Sequence, residues 1–250
     1  MRRPDPIDPQ LWRGTRDAVP WLNALDAERD TRLRELAARF LHEKTISPIG
    51  ELSLDGQQRC TLAALCCLPL LEFGAEGLHG WSQLIVYPEA FRVQRSHIDA
   101  AGVLHEGHDE LIGEAWESGP LVLSWADVVA DCESPRAGFC VAAHEIAHKL
   151  DVLDGALDGT PPLPRPWQRE WARDFQRAYD QLVAEVEAGR ETAIDDYAAE
   201  APEEFFAVAT EYHFSDPALL REAMPQVAAH LERFYGRSPF QELGSAKEAR

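Results

Sequence analysis

The run Phe139-Cys-Val-Ala-Ala-His-Glu-Ile-Ala-His-Lys-Leu-Asp151 constrains this chain more than any other stretch. It is rich in Ala and Leu and holds neither Pro nor Gly, so it reads as a helix. On a helix His144 and His148 lie one above the other, about 6 Å apart along the axis. That spacing lets both imidazoles reach one tetrahedral Zn²⁺. Glu145 follows His144 by ~100° of rotation, so its carboxylate flanks the metal without having to bind it. There it can take a proton from a water whose pKa the metal has lowered to ~7. The arrangement is that of a zinc-dependent peptidase. It fixes only three residues, however, and it needs a third protein ligand.

Around that helix the chain reads as a mostly helical α+β protein. Residues 1–20 hold four prolines and little periodicity, and are expected to be an extended arm. Asp26 can cap a helix to about His42, with Leu33, Leu36, Ala37, Phe40 and Leu41 on one face. A second helix starts near Asp55, with Gln58 completing a capping box, and Pro69 should kink or end it. Ser82–Tyr87 and Gly119–Trp125 are strand signals, and 94–110 is expected to be a hairpin or loop. A short helix is expected from Asp127. Asp154-Gly155 stops the histidine helix, and a Pro-rich connector leads to a long helix over about 166–188. Its stripe of Trp167, Trp171, Phe175, Ala178, Leu182 and Val186 is read as core rather than a ligand box. Further helices begin at Pro202 and near Pro217 and Pro225. One peptidase domain is expected over 21–237, with 238–250 a C-terminal tail.

Charge and cysteine usage narrow the function classes. A net charge of −19, spread along the chain, repels nucleic acid phosphates and anionic lipid, so direct nucleic acid binding is not expected. The five cysteines show no CxxC spacing and are read as reduced core thiols. The N-terminus lacks the apolar core of a signal peptide, and no segment approaches ~18 uninterrupted apolar residues. The expected location is the cytoplasm. No Walker loop, Gly-x-Gly-x-x-Gly after a strand, or Gly-x-Ser-x-Gly elbow occurs. His105-Glu-Gly-His108 suits a solvated turn better than a metal loop, and His213 is not expected to be a ligand.

Three acids compete for the third ligand position. Asp154 stands where a metzincin places its third ligand, but Asp151 replaces the turn-forming Gly of that pattern, and Met1 and Met224 offer no Met-turn. Glu204 and Glu211 lie seven residues apart, on one face of a later helix, and only one can reach the same metal. A glutamate on a second helix is the thermolysin-like solution, and Glu204 in Glu-Phe-Phe-Ala is the favoured one. Glu211 is left with a role in orienting His144 or His148.

The wider sequence resembles the MtfA family, also called Mlc titration factor A. The residues that carry this are His144-Glu-Ile-Ala-His-Lys-Leu-Asp151, Asp195-Asp-Tyr-Ala-Ala199 and Pro202-Glu-Glu-Phe-Phe-Ala-Val-Ala-Thr-Glu-Tyr212. Leu84–Phe91, Gly113-Glu-Ala-Trp116 and Gly119–Trp125 add to them. The resemblance implies a gluzincin-type metallopeptidase, similar in fold to the catalytic domain of anthrax lethal factor. It implies one Zn²⁺ held by His144, His148 and Glu204, with Glu145 activating the water and Tyr197 assisting at the transition state. A phenol, with an ordinary pKa of ~10, stays neutral and can donate to an oxyanion. Lys149 is charged where the broader zincin pattern prefers an uncharged residue, although the family itself carries Lys there. Peptide substrates and aminopeptidase activity on small peptides are implied, with a transcriptional repressor as a protein partner. The alternative is a regulator-binding protein that sequesters such a repressor, with peptidase chemistry secondary. In the peptidase reading, an edge strand of the small sheet lies along the zinc cleft and takes the substrate in extended form.

Overall fold

The computed structural model describes residues 4–90, 119–135 and 138–240. The expected hairpin or loop at 94–110, the His105/His108 segment, the Gly113–Trp116 stretch and residues 241–250 lie outside the described residues. Three helices open the chain: α1 (Pro9–Ala18), α2 (Ala27–Glu43) and α3 (Gly56–Cys67). Every residue from Cys60 to Cys67 is buried. A helix apolar on all sides belongs at the centre of a fold, and α1, α2 and the histidine helix all pack against α3. Asp55 and Gln58 form the expected capping box at its start. Pro69 ends it in a short 3₁₀ turn, Leu68–Leu70.

The sheet has three parallel strands in the order β1 (Thr45–Pro48), β2 (Gln83–Tyr87) and β3 (Leu121–Ser124). Leu84 pairs with Ile46 on one side and Leu121 on the other, and Val86 pairs with Leu123. Leu84, Val86, Leu121 and Leu123 have no solvent exposure, while the residues between them reach the surface or another element, the period-2 signature of a strand. β1 has no counterpart in the sequence reading, because four residues ending in Pro give too short an alternating run to register. β3 stops one residue before Trp125. Ser124 Oγ accepts the Asp127 N–H at 3.1 Å, so α4 (Trp125–Glu133) begins there.

The second half is helical: α5 (Val141–Asp151), α6 (Arg165–Glu187), α7 (Pro202–Ser215), α8 (Pro217–Ala223) and α9 (Pro225–Tyr235). The stripe on α6 is core. Trp171 stacks on Phe175 with ring centroids 4.1 Å apart, and both meet Phe206 of α7 edge-on. All five cysteines carry free thiols, and all but Cys132 are buried.

Two sequence expectations need correction. Residues 1–20 are not an extended arm. Asp8 accepts the N–H groups of Gln10 and Leu11 at 2.8 and 3.2 Å, Pro9 takes the first helical position, and α1 buries Trp12 and Thr15. Proline breaks a helix interior but suits its first turn, where its missing N–H is not needed. The same holds at Pro202, Pro217 and Pro225. Likewise the segment from 238 is no free tail at its start: Ser238 and Phe240 are buried, and Phe240 packs on Trp21 with centroids 5.2 Å apart. No helix among the described residues is long and apolar enough to cross a membrane.

Candidate metal centre

The chain enters α5 through Gly138, at φ +83°, where a Cβ would lie 2.8 Å from ring carbons of Tyr212. Cys140 at the N-cap offers no side-chain cap. Carboxylates from other helices satisfy the free N–H groups instead. Glu211 of α7 accepts from Cys140 N at 2.7 Å, and Asp131 of α4 accepts from Val141 N at 2.8 Å. Two acids at a helix N-terminus also complement its dipole. Ala142, Ala143, Ile146, Ala147 and Leu150 are almost wholly buried, and α5 packs on α7 and α3. The small side chains let α7 come close enough for its acids to reach the histidines.

Those contacts bring His144, His148 and Glu204 together. Their candidate ligand atoms all lie within 4.8 Å of one another, a group that could hold a metal ion. His144 Nε2 is 3.2 Å from His148 Nε2 and 3.2 Å from Glu204 Oε2, and His148 Nε2 is 3.5 Å from Glu204 Oε1. Zinc bonds of about 2.0–2.1 Å at tetrahedral angles put ligand atoms about 3.3 Å apart, so the spacing fits such an ion. Glu204 Oε2 is buried and makes no well-aligned hydrogen bond despite its closeness to His144, and His148 Nδ1 finds no hydrogen-bond partner among the described residues. The two Nε2 atoms and the Glu204 carboxylate thus face one another, a donor set that suits a cation. His144 is buried, while His148 and Glu204 are each about one-fifth exposed, so the group has an open side.

Glu211, to which the sequence left an orienting role, lies behind His144 and outside the group. Its Oε1 lies 2.7 Å from His144 Nδ1. A carboxylate can only accept there, so the proton sits on Nδ1 and the Nε2 lone pair is free for a metal. With no metal modifying the site, burial pushes the His144 imidazole down, but the Glu211 and Glu204 carboxylates outweigh it and raise it to about 10. Burial also opposes ionisation of Glu204, yet the His144 and His148 imidazoles beside it hold it well below the usual carboxylate range.

The remaining expected site residues lie nearby. Glu145 is half-buried on α5, within electrostatic reach of Lys149 one turn on. Tyr197 sits in a 3₁₀ turn, Asp196–Ala199, whose start is fixed by Asp195 Oδ1 accepting the Tyr197 N–H at 3.0 Å. Its ring centroid is 6.3 Å from that of His144. Asp154 is exposed and outside the group, and His213 is buried among Phe214 and Tyr235. Lys149, the unusual charge in the motif, is buried and donates to Gly119 O at 2.9 Å, tying α5 to the approach to β3. Sequence reasoning missed Asp131 as a cap because it precedes the helix by ten residues and acts from another element.

The family model described as "Glucose-regulated metallo-peptidase M90" matches residues 1–236 of the chain. A protein of Serratia proteamaculans named Mlc titration factor A is 38% identical over 229 residues, covering 90% of this chain and 87% of that protein. Its namesake in Escherichia fergusonii is 38% identical over 229 residues, covering 90% and 86%. That of Escherichia coli K12/DH10B is 36% identical over 234 residues, covering 92% and 88%.

Proposed function

This chain belongs to the M90 metallopeptidase family, and from that premise we propose that it is a zinc-dependent peptidase with an aminopeptidase-like preference for small peptides. The observation that carries the reading is the 3.2–3.5 Å spacing of ligand atoms from His144, His148 and Glu204. Two imidazoles and one carboxylate with an open side match a catalytic rather than a structural zinc site. When bound, the ion supplies Lewis acidity, lowering the pKa of a water and drawing charge from a scissile carbonyl.

The chain's own residues do the rest. Glu211 keeps the His144 proton on Nδ1 and the ring in place. Glu145 accepts a proton as the water oxygen bonds to the carbonyl carbon, and returns it to the amine nitrogen as the C–N bond breaks. The Tyr197 hydroxyl donates to the developing oxyanion. Lys149 holds the start of β3 to α5, which supports docking of an extended peptide along that strand. We read the chain as one peptidase domain that includes α1 and resembles the lethal factor catalytic domain, and the cytoplasm as its location. The charge of −19 argues against direct nucleic acid binding.

The relatives' name, Mlc titration factor A, supports a second reading, in which the chain binds and sequesters a transcriptional repressor. Metal analysis of the purified protein, coupled to a chromogenic aminopeptidase panel, separates the two. Expected are one zinc per chain and turnover abolished by chelator. Glu145→Gln should retain zinc and lose activity by orders of magnitude. Zinc without chelator-sensitive turnover on any peptide would favour the binding reading, and near-normal turnover by Glu145→Gln would refute the mechanism.

A further inference from the structure

Asp151 is the least exposed acidic side chain among the described residues, and the mechanism above gives it no task. It closes α5, three residues past His148. Its two oxygens accept backbone N–H groups from the chain as it returns: Oδ2 from Gly159 at 2.7 Å and Oδ1 from Thr160 at 2.8 Å. The loop over 152–158 is thereby bracketed at both ends by one carboxylate. Burial pushes the Asp151 carboxyl up to about 6 even against those two donors, so the group stands where an ion is disfavoured.

Gly159 carries the contact onward. It has φ +78°, and a Cβ there would lie 2.4 Å from Pro202 O and 2.9 Å from Pro202 C. The backbone at Gly159 therefore rests directly on the first turn of α7, and Trp171 Nε1 donates to Gly159 O at 3.4 Å. Pro202 opens α7, and Glu204 stands two residues later in the same turn. That turn lacks a cap of its own, since Ala201 at the N-cap makes no side-chain hydrogen bond. An uncapped first turn frays readily, yet here it must deliver a carboxylate to within 3.2 Å of His144 Nε2.

We propose that Asp151 and Gly159 form a clamp that positions Glu204, fixing the first turn of α7 to the end of the histidine helix and thereby setting metal affinity. Both are positioning residues that touch neither metal nor substrate. The clamp couples the candidate ligands carried by two helices: α5 brings His144 and His148, and its own terminal carboxylate holds the loop on which the turn bearing the third ligand rests. The proposal relies on the His144–His148–Glu204 metal site.

The test is the zinc dissociation constant, by competition with a chromophoric chelator, of wild type, Asp151→Asn, Asp151→Ala and Gly159→Ala. The thermal midpoint of each metal-free protein is measured beside it. Loss of supporting partners around metal ligands weakens binding about 10–100-fold. Asp151→Ala and Gly159→Ala should fall in that range, with the milder Asp151→Asn below it. The readout that a merely structural role would not give is coupling: in a Glu204→Ala background, Asp151→Ala should weaken zinc no further. Trp12→Phe, which removes the bond from α1 to Asp30 of α2, should lower the thermal midpoint and leave zinc affinity unchanged. Zinc affinity within twofold of wild type in all three clamp variants would overturn the clamp, as would an undiminished loss in the Glu204→Ala background. Where the alanine variants do not fold, Asp151→Asn alone decides, by the same twofold limit. A wild-type protein that binds no zinc would overturn the metal site itself, a result distinct from failure of the clamp.

Discussion

Glu211→Gln is the substitution whose outcome the geometry constrains most tightly. Both oxygens of Glu211 are committed, Oε1 to His144 Nδ1 at 2.7 Å and Oε2 to Cys140 N at 2.7 Å, and the residue is 4% exposed. Glutamine has the same shape but only one oxygen. If the amide oxygen serves Cys140, the NH₂ faces His144 Nδ1 and can bond only if that nitrogen gives up its proton. The proton then moves to Nε2, and the lone pair that faces His148 and Glu204 is lost to a metal. If the oxygen serves His144, the Cys140 N–H is opposed by another donor at the start of α5. A buried donor left without an acceptor costs about 1–3 kcal/mol. The expected loss of zinc affinity is therefore about 10–100-fold, or about 1.4–2.7 kcal/mol. Chelator competition measures it directly, with circular dichroism to establish that the helices persist. Glu204→Ala should weaken zinc still further, because it removes a candidate ligand rather than its support. Zinc affinity within twofold of wild type for Glu211→Gln, or a greater loss for Glu211→Ala than for Glu204→Ala, would refute this reasoning.

Two further predictions concern the scaffold. Burial holds His213 down at about 3, so between its ordinary value of about 6.5 and about 3 the unfolded chain binds a proton that the folded chain refuses. Stability should therefore fall as pH drops through that window, and His213→Phe should flatten the slope in urea titrations at pH 7 and pH 5; an unchanged slope would contradict the assignment. Trp12 is 4% exposed and its Nε1 donates to Asp30 Oδ1 at 3.2 Å. Trp12→Ala should cost about 3–5 kcal/mol in equilibrium unfolding, whereas an unfolding free energy within 0.5 kcal/mol of wild type, by order of magnitude a surface effect, would mean that α1 is not integral to the fold.

The family and the composition of the site were legible in the chain because both rest on local spacing. His144 and His148 are one helical turn apart wherever that run is helical, and Glu204 and Glu211 must share a face at a separation of seven. The capping box at Asp55 and Gln58, the stop at Gly155 and the apolar stripe on α6 are local in the same sense. The error at the N-terminus arose because one residue type has two opposite meanings. Prolines in the first twenty residues read as breakers, but Pro9 begins a helix because Asp8 caps it.

The sequence favoured Glu204 over Glu211 by its local context, but only the tertiary structure shows how each glutamate meets the histidines. Nothing in their spacing says that Glu204 faces both imidazoles while Glu211 reaches behind one of them; the packing of α7 on α5 decides it. The same is true of Asp131 capping α5 from α4, of Lys149 reaching the carbonyl of Gly119, and of Asp151 holding Gly159 against Pro202. Each joins groups whose separation in sequence carries no periodic signal. The two histidines specified that a metal could be held, and the packing of two helices brought the Glu204 carboxylate beside them.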